Sequence, residues 1–472
     1  MDIHKQRFSR RSFLKGAGVT LALGAGGSLV SACKPAATEK ASAPVSTVPL
    51  KQKAVDLSFW ITPYWKGKTG REEEGKETDY YTWKIEEFNK DYPNVSIKVE
   101  FTPSTSEGVA KYDTAVAAGN PPDVMHGQSG SHWRYAPQDA IEPFDEWMDP
   151  DVISDLIGPA EDVCKYVDGK IYLWPYGMAL TGGVFVNRGL FEKAGALDLL
   201  PATKERDWTV TEFEKAMEAV TGEIDGQQVY GTVLMTDWYY QPMQFFYGFG
   251  ANLYNEYQTK MIINSPEGVE CMQWLVDLEH KHGWMIPGTA GRTNDVALRL
   301  FQEQKVATYP SQPYYVTAFQ LQPELKPDFE WYYCQPPHKE GKEIGAEGNI
   351  HGFCVAKQDD KDKLAIAMKF VEHLTKPENL EIACWGQGVV PPRKSVLPIL
   401  EEDPERYVES ILAQHLKPFS RLYAEVAPKA ITPAWDAAFA LEKSPQEALD
   451  WMVESANKIL RETAEQYGWP LE

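Results

Sequence analysis

The stretch from residue 55 to 125 alternates between strand period and helix period, and that alternation constrains the fold more than any other feature of the chain. Residues 55–61 form a short apolar run containing Leu57, Phe59 and Trp60, which predicts a first strand. Over 79–90 the apolar positions Tyr81, Ile85 and Phe88 fall four and three apart, the spacing of a helix face. Pro93-Asn94 breaks that helix, after which Val95, Ile97, Val99 and Phe101 alternate with polar residues as a strand does. Helical spacing returns over 106–118 through Val109, Tyr112 and Val116; Gly119 stops it, and Pro121-Pro122 lead into a short strand at 123–125. The order βαβαβ predicts a parallel sheet wrapped by helices, with ligands at the carboxyl ends of its strands. Two loops lie at those ends. One, 62–78, is as long as structureless loops usually become and opens with Pro63-Tyr64-Trp65. The other, Gly127-Gln128-Ser129-Gly130-Ser131, is small and polar.

The second half continues the mixture without an internal repeat. A strand is expected at 184–186 and a helix at 209–220, with Thr211 as its cap and Glu214 three residues on. Further helices are expected at 265–282, where Pro266 occupies a tolerated early position, at 362–374 and at 444–466.

Residues 1–32 read as a leader and stand apart from the fold. Ser9-Arg10-Arg11-Ser12-Phe13-Leu14-Lys15 resembles the twin-arginine export signal, and the uncharged stretch 16–32 is short of the ~20 apolar residues that span a bilayer. Val30-Ser31-Ala32-Cys33 resembles a lipobox, which implies lipidation of Cys33 and anchoring to the cell envelope, facing the periplasm or the exterior. The Ala, Ser, Thr and Pro of 33–54 have the composition of a flexible tether.

A formal net charge of −21, over a chain whose leader is basic, opposes binding to phosphate backbones, so no nucleic-acid partner is expected. Beyond the leader, Cys164, Cys271, Cys334, Cys354 and Cys384 are odd in number and widely spaced, which is no disulfide framework; one bridge among the later three stays open. HExxH, CxxC, GxSxG and P-loop patterns are absent, and the histidines show no i, i+4 pair. Neither a cofactor nor a metal is expected, and the remaining length suffices for two domains with real cores.

Several segments resemble, in order, the extracellular carbohydrate-binding proteins of ABC importers (solute-binding family 1, the maltose-binding-like cluster). Ala117-Ala118-Gly119-Asn120-Pro121-Pro122-Asp123-Val124 is similar to the family's A-x-G-x-P-P-D-V turn, and the run from Phe185 to Gly195 to its Y-N-K-D-L-F-E-K-A-G segment. Asp207-Trp208-Thr209 to Phe213 resembles T-W-D-E-F. Phe301 to Ala307 resembles F-x-x-G-K-A-A, with Gln304 in place of glycine, and Gly386 to Arg393 resembles G-x-x-P-x-R. The resemblance implies a type II periplasmic-binding α/β fold of two lobes, one of 55–178 plus 352–400, the other of 179–351 plus 401–472. The chain would cross between them near Met178-Ala179, at 348–352 and around 400. A carbohydrate would be held in the cleft of a monomer and handed to ABC permease subunits, with no catalysis.

Sugar rings present an apolar face and a rim of hydroxyls, so aromatic plates beside a few polar groups suit them. Carried over by the resemblance, the ligand-binding candidates are Thr62, Tyr64 and Trp65 after the first strand and Gln128 and Ser129 after the third. Trp174 and Tyr176 lie near the first crossing and Asn349 near the second. Trp238, Tyr239, Tyr314, Trp435 and Asp436 complete the set in the other lobe. Core packing is the competing explanation for every aromatic among them, and His351 reads as a structural neighbour of the hinge. An exported glycosidase or lyase using Asp237 and Asp436, and a polyamine-binding protein, are the rival functions.

Overall fold

Val55, Leu57, Phe59 and Ile61 all turn inward along one strand, and the rest of the first lobe is built around them. The computed structural model describes residues 49–62, 80–103, 106–238, 240–256, 258–418 and 423–469. Its strands are β1 (Val55–Ile61), β2 (Val95–Phe101), β3 (Val124–Gln128), β4 (Ile141–Glu142), β5 (Trp174–Leu180), β6 (Val184–Asn187), β7 (Gly222–Ile224), β8 (Gln227–Val229), β9 (Thr308–Pro310), β10 (Trp331–Cys334), β11 (Ala346–Ala356) and β12 (Leu416–Pro418). The larger sheet runs β12-β11-β3-β1-β2, with β4 and β5 also paired to β11. β1 pairs in parallel with both β2 and β3, as the βαβαβ pattern predicts. Helices cover both faces: Phe59 meets Tyr81 and Phe370 on one, and Trp60 meets Tyr112 on the other. Trp60 is therefore a packing residue.

The family-like motifs have local physical causes. Asp123 of the Pro-Pro-Asp turn accepts from the Ser58 backbone N–H at 2.7 Å and pairs with Lys363 at 2.8 Å, locking β3 to β1 and to helix Lys361–Leu374. Asn187 caps helix Arg188–Lys193 by accepting from the Leu190 N–H. Gln304, standing where the family has glycine, takes a φ of +57°, the region that favours glycine. The helix expected at 209–220 spans Val210–Val220, and only its cap differs. Thr209, not Thr211, is the cap, closing a reciprocal box with Glu212; Glu214 instead accepts from the Trp274 indole.

β6 is buried on both faces, with Phe185 in one hydrophobic core and Val184 and Val186 in the other. Three strands lie abreast where the chain passes between the lobes: Gly348 of β11 pairs with Leu180 of β5 on one side and Pro418 of β12 on the other. Val408, Leu412, Ala413 and Leu416 pack in a core that also holds Phe185, Tyr309 and Tyr333. Helix Tyr407–Gln414 is held there by Arg406, whose buried guanidinium donates to both Glu409 oxygens and to the Cys384 carbonyl. Cys164, Cys271, Cys334, Cys354 and Cys384 are all buried and free of disulfides. Among the described residues no helix is long and apolar enough to cross a membrane.

Candidate ligand site

The carboxyl ends of β1 and β3 meet the crossing strand β11, and there the sequence-derived candidates begin to converge. Thr62, directly after β1, lies 3.0 Å from His126 Nδ1, and His126 Nε2 lies 3.3 Å from His351 Nδ1. The two imidazoles stack with centroids 5.5 Å apart, and the Tyr176 ring stands 6.1 Å from each. Burial drives the His126 pKa well below its ordinary value, with His351 adding to the effect, and burial pushes His351 down to about 4. Both shifts favour the neutral rings at pH 7, and the accepting ring of the pair must keep its lone pair.

Beside them Asn349 joins two strand ends. Its Nδ2 donates to Gln128 Oε1 at 3.1 Å, and its Oδ1 accepts from the Ser129 N–H at 3.3 Å. Ser129 Oγ in turn accepts from the Ile350 N–H at 2.8 Å. Thr62, Gln128, Ser129, Tyr176 and Asn349 are thus brought together, with His126 and His351 between them. His126 was missed because it sits inside a strand, where its period gives no sign of a polar role. His351, read as a neighbour of the hinge, is half of the pair.

A second group is aromatic. Trp238 precedes helix Tyr240–Phe249, with its ring 6.4 Å from Tyr315, and Tyr314 lies 5.4 Å from Tyr315 at the start of helix Tyr314–Leu321. Tyr314 is 38% exposed, a high value for a ring that size. Asn294 supports the group from behind, donating to the Tyr315 hydroxyl at 2.7 Å and accepting from Tyr309 at 2.6 Å. Asp237 accepts from the Trp238 and Asn294 backbone N–H groups, which fixes the turn carrying Trp238. Burial raises the Asp237 pKa, although those N–H groups oppose the shift.

Other candidates lie elsewhere. Trp174 is fully buried against Phe144, its indole donating to Thr375 Oγ1 at 2.9 Å, which is a core position. Trp435 is equally buried, packed 5.5 Å from Phe246 in the second core. Asp436 accepts from the Gly291 N–H at 2.8 Å and so serves a turn. With Asp237 similarly engaged, the two carboxylates of the hydrolase reading each already hold a backbone turn. Tyr64, Trp65, Tyr239 and Cys33 lie outside the described residues. Among the described residues no group of three or more His, Cys, Asp or Glu side chains is placed to hold a metal.

Two α/β lobes joined by three adjacent strands, with polar and aromatic groups at the strand ends and helix starts, define a hinged solute-binding fold. Residues 83–409 match the bacterial extracellular solute-binding protein family, and the chain belongs to it. The fold is similar to that of the cyclic α-maltosyl-1,6-maltose binding protein of Arthrobacter globiformis, at 18% identity and a TM-score of 0.71 over 87% of this chain and 100% of that one. The sugar-binding protein MalE of Xanthomonas citri gives 19% identity and a TM-score of 0.70 over 88% and 100%. An ABC substrate-binding protein of Listeria monocytogenes, solved with cycloalternan, gives 20% and 0.65 over 86% and 99%.

Proposed function

We propose that this protein captures a carbohydrate, an oligosaccharide or a glycoside, between its two lobes and delivers it to the permease of an ABC importer. It does so as a lipoprotein, exported by the twin-arginine route and held at the membrane through Cys33. The observation that carries the ligand class is the pairing of an aromatic group, Trp238, Tyr314 and Tyr315, with a hydrogen-bonded group of neutral side chains at Thr62, Gln128, Ser129 and Asn349. Aromatic faces desolvate the C–H side of a sugar ring, and neutral amides and hydroxyls bond its rim. Neither group presents the clustered carboxylates that a polyamine would need. The proteins compared above include a binding protein for cyclic α-maltosyl-1,6-maltose and one solved with cycloalternan, which supports the same class for this chain. The lobes would divide at the three abreast strands, and closure about that hinge would bury the sugar.

Thermal unfolding of the protein against a panel of oligosaccharides tests this reading. A bound sugar at a hundredfold excess over its Kd stabilises the folded state by ~2.7 kcal/mol, a rise of several degrees. A rise with polyamines alone would reject the carbohydrate.

A further inference from the structure

Helix Ser131–Tyr135 follows directly on the loop that carries Gln128 and Ser129, and it is fastened to residues 291 and 336 positions further along the chain. At its start Ser131 Oγ accepts from the Gln128 N–H at 3.0 Å. Gly130 makes the turn between loop and helix at a φ of +94°, where a side chain would be strained. Toward its end Arg134 bridges two acids: Nη1 donates to Asp113 at 3.1 Å and Nη2 to Glu425 at 2.9 Å. Between them the Trp133 carbonyl accepts from the Trp469 indole N–H at 2.7 Å, and the two rings meet edge to face at 5.9 Å. Trp133 thus packs in the core of the C-terminal helix, Pro445–Tyr467, with Leu460 and Ala464, whereas Val124 and Met125 of β3 pack in the other core.

A five-residue helix has too few internal hydrogen bonds to keep its place alone. One flank of loop and helix opens on a hollow of about 600 Å3, lined by Ser129, Gly130, Trp133, Tyr166 and Leu416 among others, so packing from that side does not fix the loop either. What remains is two fastenings. Ser129 ties the loop to β11 through Asn349 and Ile350. The short helix ties it to the C-terminal region through Arg134 and Trp469. A loop held in its binding geometry before the ligand arrives loses less freedom on binding, and affinity rises accordingly.

We propose that Arg134 and Trp469 are positioning residues for ligand capture, acting through helix Ser131–Tyr135 to hold Gln128 and Ser129 in the geometry they present to the sugar. This rests on the reading of Gln128 and Ser129 as ligand contacts. It gives the last residues of the C-terminal region a part in binding, although they touch no ligand themselves.

Glu425→Ala and Trp469→Phe test it. The first leaves Arg134 paired with Asp113, and the second keeps a ring in the core while removing the N–H, so neither strips the fold of a packed group. Hydrogen exchange is followed by mass spectrometry on the protein without sugar. In each variant the amides of Gln128, Ser129 and Ile350 should exchange about fivefold faster or more, the loss of one good hydrogen bond, while those of β1 and β2 keep their rate. Unaltered exchange at Gln128 and Ser129, or an equal acceleration in β1 and β2, would overturn the proposal. Titration with maltotetraose then reads the consequence. A Kd belongs to the folded protein, so lost stability alone leaves it unmoved, and each variant should weaken binding about fivefold or more. A faster loop with wild-type affinity would overturn the positioning role. A wild type that binds no sugar would overturn the carbohydrate reading instead, and the exchange rates alone would then decide whether the two residues hold the loop.

Discussion

The two groups that make up the candidate site are built in opposite ways. At the ends of β1 and β3 the side chains are polar, buried and tied to one another and to β11: Thr62 to His126 to His351, and Gln128 to Asn349 to Ser129. At the starts of helices Tyr240–Phe249 and Tyr314–Leu321 they are aromatic, and Tyr314 is well exposed. The polar group is attached to a strand that crosses the hinge, so its geometry is coupled to the crossing. The aromatic group stands on helix starts fixed by Asp237 and Asn294 and supplies area. Under the carbohydrate reading, orientation of the sugar would fall to one group and desolvation to the other.

Substitutions separate these roles. Trp435, an aromatic candidate that lies in the second core, gives the largest effect on folding. Trp435→Ala should lose ~3–5 kcal/mol of stability, seen as a collapse of the unfolding midpoint. The half-buried Trp238 should behave in the opposite way: Trp238→Ala should weaken sugar binding by ~2 kcal/mol, about thirtyfold in Kd, while the unliganded midpoint barely moves. A large fall in that midpoint would place Trp238 with Trp435 and erase the contrast.

The polar group predicts a pH dependence. His351 binds its proton at pH 6.5 when unfolded but only near pH 4 when folded, so between those values the unfolded state holds more protons. Stability should therefore be full above pH 6.5 and fall by up to ~3 kcal/mol as the pH drops toward 4. Denaturant unfolding across that window measures it, and His351→Gln should lessen the fall, leaving the share that belongs to His126. Glu347, four residues earlier on β11, has the opposite sign. Burial raises its carboxyl to about 8, and the neighbouring Tyr247 hydroxyl opposes the shift. Here the folded state holds the extra proton, so this contribution is full below pH 4.5 and is lost as the pH rises to about 8. Glu347→Gln should remove that loss. The smallest effect is expected away from both groups, where Gln304→Gly should relieve a left-handed residue and gain at most ~1 kcal/mol.

What the sequence made legible follows from how local each signal is. β2 could be read from its alternation, β1 as a short apolar run and β3 from the Pro121-Pro122 turn that leads into it. The strand-end polar residues could be read because a parallel sheet puts functional loops at those ends. His126 could not, since its partners are 64 and 225 residues away in sequence. Trp435 looked like a site residue beside Asp436, yet its burial depends on Phe246, which no local pattern reveals.

The most direct test of carbohydrate capture is calorimetric titration of the protein with intact oligosaccharides, followed by recovery and mass analysis of the sugar. One-to-one binding in the micromolar range or tighter, with the sugar recovered unchanged, is the predicted result. Recovery of shortened or unsaturated products would instead identify a carbohydrate-active enzyme and contradict the account.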